Sequence, residues 1–287
     1  MRDEDESGAH GKAVPAGDAC FTRGRLRDEF RLKPAPGAEP VKWYKNPYGG
    51  KYGVWRVADC VPMQEKRPQS EKQRRTSKRL GLQARLNSQR GQCALLAATW
   101  LSRDPVFLDT ETTGLDPRAQ AVEIALVDAA GKTLYETRLR PTVSIDPAAA
   151  AVHGINNADL VNAPSWPEIM SPLKQHIGQR PLVIFNADFD RRILKQTAAA
   201  HDDPACWLDT LTVYCTMHLS AGFYGPTNRY GTISLASAVS QAGLCWSGQA
   251  HSAVADANMT ARVVNHIAEY GRQLQRKIEN ATGNKPE

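Results

Sequence analysis

Asp109 and Glu111 stand one residue apart at the end of an apolar run, Val106-Phe107-Leu108, within PVFLDTETTGLD (residues 105–116). In an extended strand the side chains of residues i and i+2 point to the same face, so the two carboxylates project together. Converging anions repel unless something positive lies between them, and a hard divalent cation held by oxygen ligands is the common arrangement. The same letters also read as a strand running out into a polar turn, with Asp and Thr as turn formers. More acids of the right kind occur downstream. PLVIFNADFDRRIL (181–194) is an apolar strand pattern followed by Asn186, Asp188 and Asp190 and then by helical periodicity. GQAHSAVADANMTARVV (248–264) carries His251 and, five residues on, Asp256, at the start of a second helical pattern.

Taken in order, DTETTG, NADFD and HSAVAD resemble the three motifs of the DEDDh (DnaQ-like) family of 3′→5′ exonucleases, which includes the proofreading subunit of bacterial DNA polymerase III. Val152-His153-Gly154-Ile155 adds a fourth match, since members close to that subunit often carry VHGI between the first two motifs. The resemblance covers roughly residues 104–270, and four weak motifs in order are specific where one is not. It implies phosphodiester hydrolysis with two divalent metal ions, Mg2+ or Mn2+, about 3.5–4 Å apart. By resemblance, Asp109, Glu111 and Asp256 hold the ion that activates water, Asp109 also reaches the second, and Asp190 supports the second directly or through water. His251 is the candidate general base, because an imidazole titrates near neutrality and suits proton removal from water beside a cation. A related subclass places Tyr four residues before the last Asp; that position is Ser252, which indicates the histidine subclass.

The remaining site assignments follow the same motifs. The pattern N-A-x-F-D selects Asp190 over Asp188, which falls at or near a helix N-cap. Asp116 reads as a turn residue. Thr112, Gly114 and Leu115 form the loop that the family lays against the terminal nucleotide, Gly114 permitting the turn and Leu115 packing on the base. His153 either lies along the substrate strand or packs at a helix end; Asn186 is a candidate substrate contact, and Phe189 reads as core.

Elements able to position these groups are legible as an α/β pattern. Strands are expected at 105–110, 122–128 and 132–140, with Asp128-Ala129-Ala130-Gly131 turning between the last two. Short helices near 147–153 and 157–162, a helix at 165–178, a strand at 181–186 and a helix at 188–200 follow. A strand near 206–213 and helices at 232–244 and about 254–278 complete the series. A three-stranded antiparallel meander followed by alternating helix and strand fits a mixed sheet flanked by helices; the resemblance implies the ribonuclease H-like fold, over residues 104–278, with a tail at 279–287.

The N-terminal part differs in charge. Residues 1–104 hold 21 Lys/Arg against 12 Asp/Glu (net +9), and residues 105–287 hold 15 against 18 (net −3). That asymmetry suggests a polyanionic partner, most simply nucleic acid, or else a solvated basic face. Residues 1–20 are polar and expected to be a disordered tail. Residues 21–62 read as a small β-containing module, with VKWYKN (41–46) and KYGVWRV (51–57) as a hairpin around Pro47-Tyr48-Gly49-Gly50. Its Trp43, Tyr44, Tyr48, Tyr52 and Trp55 interleave with Lys42, Lys45, Lys51 and Arg56. Such aromatics could stack bases; the favoured reading makes them the core of a module with little else to bury. Residues 63–103 read as a basic helical linker, interrupted near Gly81, with Leu80, Leu82 and Leu86 as a thin apolar stripe. Its basic stretch 65–90 could contact nucleic acid or a protein partner, and its end, 91–104, an apolar helix packed on the catalytic region.

Six cysteines show no CxxC pair and no zinc spacing. The acidic start MRDEDESGAHGK has no apolar h-region, and the longest apolar stretch, Ala94–Leu101, is too short to span a bilayer, so a soluble, cytoplasmic protein with no membrane partner is expected. The leading expectation is a metal-dependent 3′→5′ exonuclease acting on single-stranded DNA ends. It would be a stand-alone enzyme, because few residues follow the last helix to act as a tether. An exoribonuclease of the same family, and a nucleic-acid-binding or adaptor protein on a nuclease-like fold, are the alternatives.

Overall fold

The computed structural model describes residues 13–46, 49–64, 69–246 and 251–282. It divides into two compact units, Met1–Ser70 and Glu71–Glu287. In the first, β1 (Cys20–Thr22) runs into α1 (Arg23–Phe30), capped by Thr22, whose Oγ1 accepts from the Arg25 amide at 3.3 Å. β2 (Leu32–Pro34), β3 (Lys42–Lys45), β4 (Lys51–Arg56) and β5 (Cys60–Pro62) follow. The strands form an antiparallel sheet in the order β1-β4-β3 and a separate β2–β5 pair. Leu26, Leu32, Trp55 and Val57 make the core, with Phe21 and Phe30 packed against it.

The expectation that the hairpin aromatics build this core is corrected for three of them. Trp55 is buried, but Trp43, Tyr44 and Tyr52 are 60 %, 41 % and 42 % exposed. The pleat explains the two tyrosines: Trp55 lies opposite Phe21 in the β1–β4 register, and Tyr52, an odd number of residues away, turns to the other face with its partner Tyr44, whereas Trp43, opposite Gly53, shares the Trp55 face but stands on the edge strand β3. Tyr48 and residues 1–12 of the expected tail lie outside the described residues.

The second unit opens with α2 (Glu71–Asn87) and α3 (Gln89–Leu101), then β6 (Val106–Thr112), β7 (Ala121–Val127), β8 (Thr133–Arg138), α4 (Pro147–His153), a 3-10 turn (Asn157–Leu160) and α5 (Trp166–Ile177). β9 (Leu182–Ile184), α6 (Ala187–Ala199), α7 (Trp207–Thr210), β10 (Val213–Cys215), α8 (Thr216–Tyr224), α9 (Leu235–Gln241) and α10 (Ala253–Thr282) complete it. The sheet order is β10-β9-β6-β7-β8. β6, β9 and β10 are parallel, and β7 is antiparallel to both of its neighbours. This is a mixed sheet flanked by helices, of the ribonuclease H-like kind.

Strand alternation sorts the core into two layers. Phe107, Val127 and Val183 pack against Trp100 of α3, Leu219 and Phe223 of α8, and Met259, Val263 and Ile267 of α10. Val106, Leu108, Ile124 and Leu126 pack on the opposite side against Trp166 and Leu173 of α5 and Ile193 and Leu194 of α6. Asp109 and Glu111 therefore share the α10 side, and Thr110 the α6 side.

Several sequence expectations need correction. The strand expected near 206–213 gives way to α7, and β10 begins only at Val213. α8 went unforeseen: Thr216, Leu219, Ser220, Ala221 and Phe223 are buried around much of its circumference, which leaves no polar stripe to reveal a helical period. α2 runs straight through Gly81, which is exposed and costs only about 1 kcal/mol relative to Ala. The break comes at Ser88, whose hydroxyl accepts from the Gly91 amide at 3.3 Å and caps α3. Of the expected leucine stripe, Leu82 is buried and Leu80 is exposed. No helix among the described residues is long and apolar enough to cross a membrane.

Thr197 couples α6 to the sheet. Its buried hydroxyl accepts from the Ala121 amide at 2.8 Å and donates to the Ile193 carbonyl at 2.7 Å. Thr197→Val keeps the shape but strands the Ala121 N–H, so stability should fall by about 1–3 kcal/mol, read as a shift of the urea midpoint at constant m-value.

Candidate active site

β6 delivers two carboxylates to one end of the sheet. Asp109 lies opposite Ala125 and Glu111 opposite Glu123, and the ladder shifts register between Glu111 and Thr112. Asp256 arrives in the first turn of α10. One carboxylate oxygen from each of Asp109, Glu111 and Asp256 lies within 4.8 Å of the others. β9 is parallel to β6, so the loop leaving it opens at the same end, where ligands collect in open α/β sheets. Asp190 follows in α6, only 4 % exposed, and its Oδ1 accepts from the Thr110 hydroxyl at 2.8 Å. Three acids thus form the close group and Asp190 stands beside it, tied to β6.

This donor set suits a hard cation. Burial, and then the charges of Asp190, Asp256, Glu111 and Glu123, push the Asp109 carboxyl well above the usual carboxylate range. Burial and the Asp256, Glu123 and Asp190 charges raise Glu111 to about 8. Burial raises Asp190 to about 7, against the Thr110 hydrogen bond that favours its charge. Asp256 is raised by burial and pulled back by the His251 amide. Oxygen donors whose ionisation is opposed by one another are what a divalent cation relieves.

His251 is exposed and holds a left-handed backbone (φ 63°), a conformation that a non-glycine residue adopts at a cost. Its amide donates to Asp256 Oδ1 at 3.3 Å, which ties the loop to a carboxylate of the group. Glu123 holds the next turn: its Oε2 accepts from the Ala253 amide at 2.9 Å, and Arg138 approaches its Oε1 at 3.4 Å. Glu123 was not foreseen from the sequence, and neither was Thr110. The available signal was a carboxylate inside AVEIALV, a strand buried at every position. Such a residue needs a partner.

The loop residues divide. Leu115 is 78 % exposed and Asn186 is exposed, so both are open to a ligand. Thr112 is buried and donates to the Gly114 carbonyl at 2.8 Å. Gly114 corrects an expectation: it is not in the left-handed region, and an added Cβ would meet Asp146 at an ordinary 3.6 Å. The turn therefore does not require glycine there. His153 is buried; its Nδ1 accepts from the Ile155 amide at 3.1 Å, so Nε2 carries the hydrogen that meets the Thr112 carbonyl at 3.1 Å. Burial also lowers its pKa. Both nitrogens are engaged internally, which fits the helix-end alternative. Gly154, at φ 76°, caps α4 in the left-handed region, its amide donating to the Ala150 carbonyl. Asp188 is exposed in the first turn of α6, where Asn186 is the N-cap. Asp116 accepts from the Arg118 amide at 2.6 Å, a local turn. Phe189 packs at the edge of the core.

The sequence model of the RNase T family, described as "Exonuclease", matches residues 106–264, more than half of the chain. An uncharacterized protein of Salmonella typhimurium, pSLT049, is 73 % identical over 121 residues, covering 42 % of this chain and 88 % of its own length. An uncharacterized exonuclease, CP81, of Escherichia phage 186 is 36 % identical over 181 residues, covering 61 % of this chain and 93 % of its own length. DNA polymerase III subunit epsilon of Escherichia coli is 33 % identical over 95 residues, covering 30 % of this chain and 39 % of its own length. Among solved structures, Exonuclease X in complex with 5′ overhanging duplex DNA is 26 % identical, with a TM-score of 0.42, covering 63 % of this chain and 93 % of its own.

Two measurements probe the charge group. Glu111 has a folded pKa of about 8, above an unfolded value of about 4.3. Its protonated form therefore stabilises the fold fully below the unfolded value, and that stability is lost as pH rises toward 8. In EDTA, the stability of Glu111→Gln minus that of wild type should grow from pH 5 to 8 in thermal melts; a flat difference would refute the repulsion. Glu123→Ala strands the Ala253 amide, so it should lower the melting temperature and slow amide exchange less effectively in the first turn of α10, read by hydrogen exchange.

Proposed function

Because the chain belongs to the RNase T-type exonuclease family, we propose that it releases nucleoside monophosphates stepwise from the 3′ end of single-stranded DNA, with His251 as general base. As an exonuclease it hydrolyses phosphodiester bonds of nucleic acid. The observation that carries the finer reading is the convergence of Asp109, Glu111 and Asp256 within 4.8 Å, with Asp190 fixed beside them by Thr110.

Asp109, Glu111 and Asp256 would hold a divalent ion, with Asp109 and Asp190 supporting a second. When bound, Mg2+ or Mn2+ would supply a more acidic water and charge neutralisation on the phosphate. His251 takes the proton from the attacking water, and its amide contact with Asp256 keeps the imidazole loop beside the carboxylates. Exposed Leu115 offers apolar surface to the terminal base, and Asn186 offers an amide to the strand. Thr112 and His153 shape the loop from inside. The exposed cations of α2, among them Lys72, Arg74 and Lys78, are candidates for phosphate contact. The likeness to DNA polymerase III subunit epsilon supports DNA over RNA.

The test uses 5′-labelled single-stranded DNA and RNA of matched sequence, in Mg2+, Mn2+ or EDTA. Wild type should give a metal-dependent ladder shortening from the 3′ end, faster on DNA, and Asp109→Ala should give none. His251→Ala should keep strand binding and lose roughly 10²–10⁴ in rate. Wild-type turnover by Asp109→Ala would overturn the site, and faster digestion of RNA would overturn the sugar.

A further inference from the structure

The first unit carries a surface that neither its fold nor the reaction uses. β3 and β4, KWYK and KYGVWR, place four cations and no acid in ten residues. Tyr44 and Tyr52 pair across the ladder. Their rings are stacked, with centroids 5.6 Å apart and planes 20° apart. Strand alternation puts Lys42 with Tyr44, and Arg56 with Tyr52, on this one face. Lys42 Nζ lies 5.2 Å from the Tyr44 ring centroid. Neither Lys42 nor Arg56 joins an ion pair among the described residues. The core of this unit lies on the opposite face, around Trp55 and Leu26, and does not include the two tyrosines.

Flat rings with cations beside them match an unpaired nucleic-acid strand: bases stack on the rings and phosphates meet the cations. A duplex hides its base faces in its own stack, and an acidic peptide would use the cations but not the rings. We propose that the Tyr44–Tyr52 face is a docking surface for single-stranded DNA, with Lys42 and Arg56 as phosphate contacts. The choice of DNA rests on the function proposed above; the stacking surface itself does not.

The experiment uses the full chain carrying Asp109→Ala, in EDTA, and follows the anisotropy of 5′-fluorescein-labelled dT20. Adding Tyr44→Leu and Tyr52→Leu together should weaken binding by about tenfold or more. Tyr44→Phe with Tyr52→Phe keeps the stacking faces and should restore binding to within about twofold. Lys42→Gln with Arg56→Gln should reduce the slope of log Kd against log salt by about 1.4. Circular dichroism and the thermal transition verify that each variant folds. Unchanged affinity in the leucine pair would overturn the proposal, as would an equal loss in the phenylalanine pair with the fold intact. Tighter binding of rU20 than dT20 would overturn the assignment to DNA. An inactive wild-type enzyme with tyrosine-dependent binding would sink the proposed reaction alone; an active one with tyrosine-independent binding would sink this surface alone.

Discussion

Mutual repulsion among carboxylates is the constraint around which the second unit is built. Asp109, Glu111 and Asp256 bring oxygens within 4.8 Å of one another, and burial raises the cost of charging each of them. No local interaction would gather like charges this way. They are gathered because the backbones that bear them are fixed by other forces: the β6–β7 ladder, the apolar layer between the sheet and α10, and the second layer beneath α6. The packing energy of those layers, summed over many side chains, exceeds the local penalty and holds the group ready for a cation.

Polar links complete that scaffold where apolar packing ends. Thr110 anchors Asp190 from the far side of β6, and Glu123 anchors the start of α10 through the Ala253 amide. Glu123 is itself one of the charges that raise Glu111 and Asp109, so a single residue both orients the site and adds to its negative field. The VHGI segment acts likewise from outside, since Gly154 ends α4 and lets His153 join the end of β6 to the turn at Ile155.

The first unit solves a different problem. A sheet of three short strands with one helix can bury little, and it buries Leu26, Leu32, Trp55 and Val57. Strand alternation then forces the side chains between these onto the outer face, where Tyr44 and Tyr52 stack on each other beside cations.

The acids, the neighbouring His251 and the α/β order were legible in the sequence because each depends on short spacing. Asp109 and Glu111 share a face by strand period, His251 and Asp256 sit together at a helix start, and apolar periodicity marks the strands and the longer helices. Only tertiary structure decided the rest. α8 lacks a polar stripe because it is buried on most sides, so no period announced it. Glu123 and Thr110 acquire their roles from partners 130 and 80 residues away, Ala253 and Asp190. Trp55 and Tyr52 read alike in the chain, and only the helix packed on one face of the sheet separates core from surface. Local periodicity is written within a few residues, whereas burial and long-range hydrogen bonds belong to pairs that only the folded chain brings together.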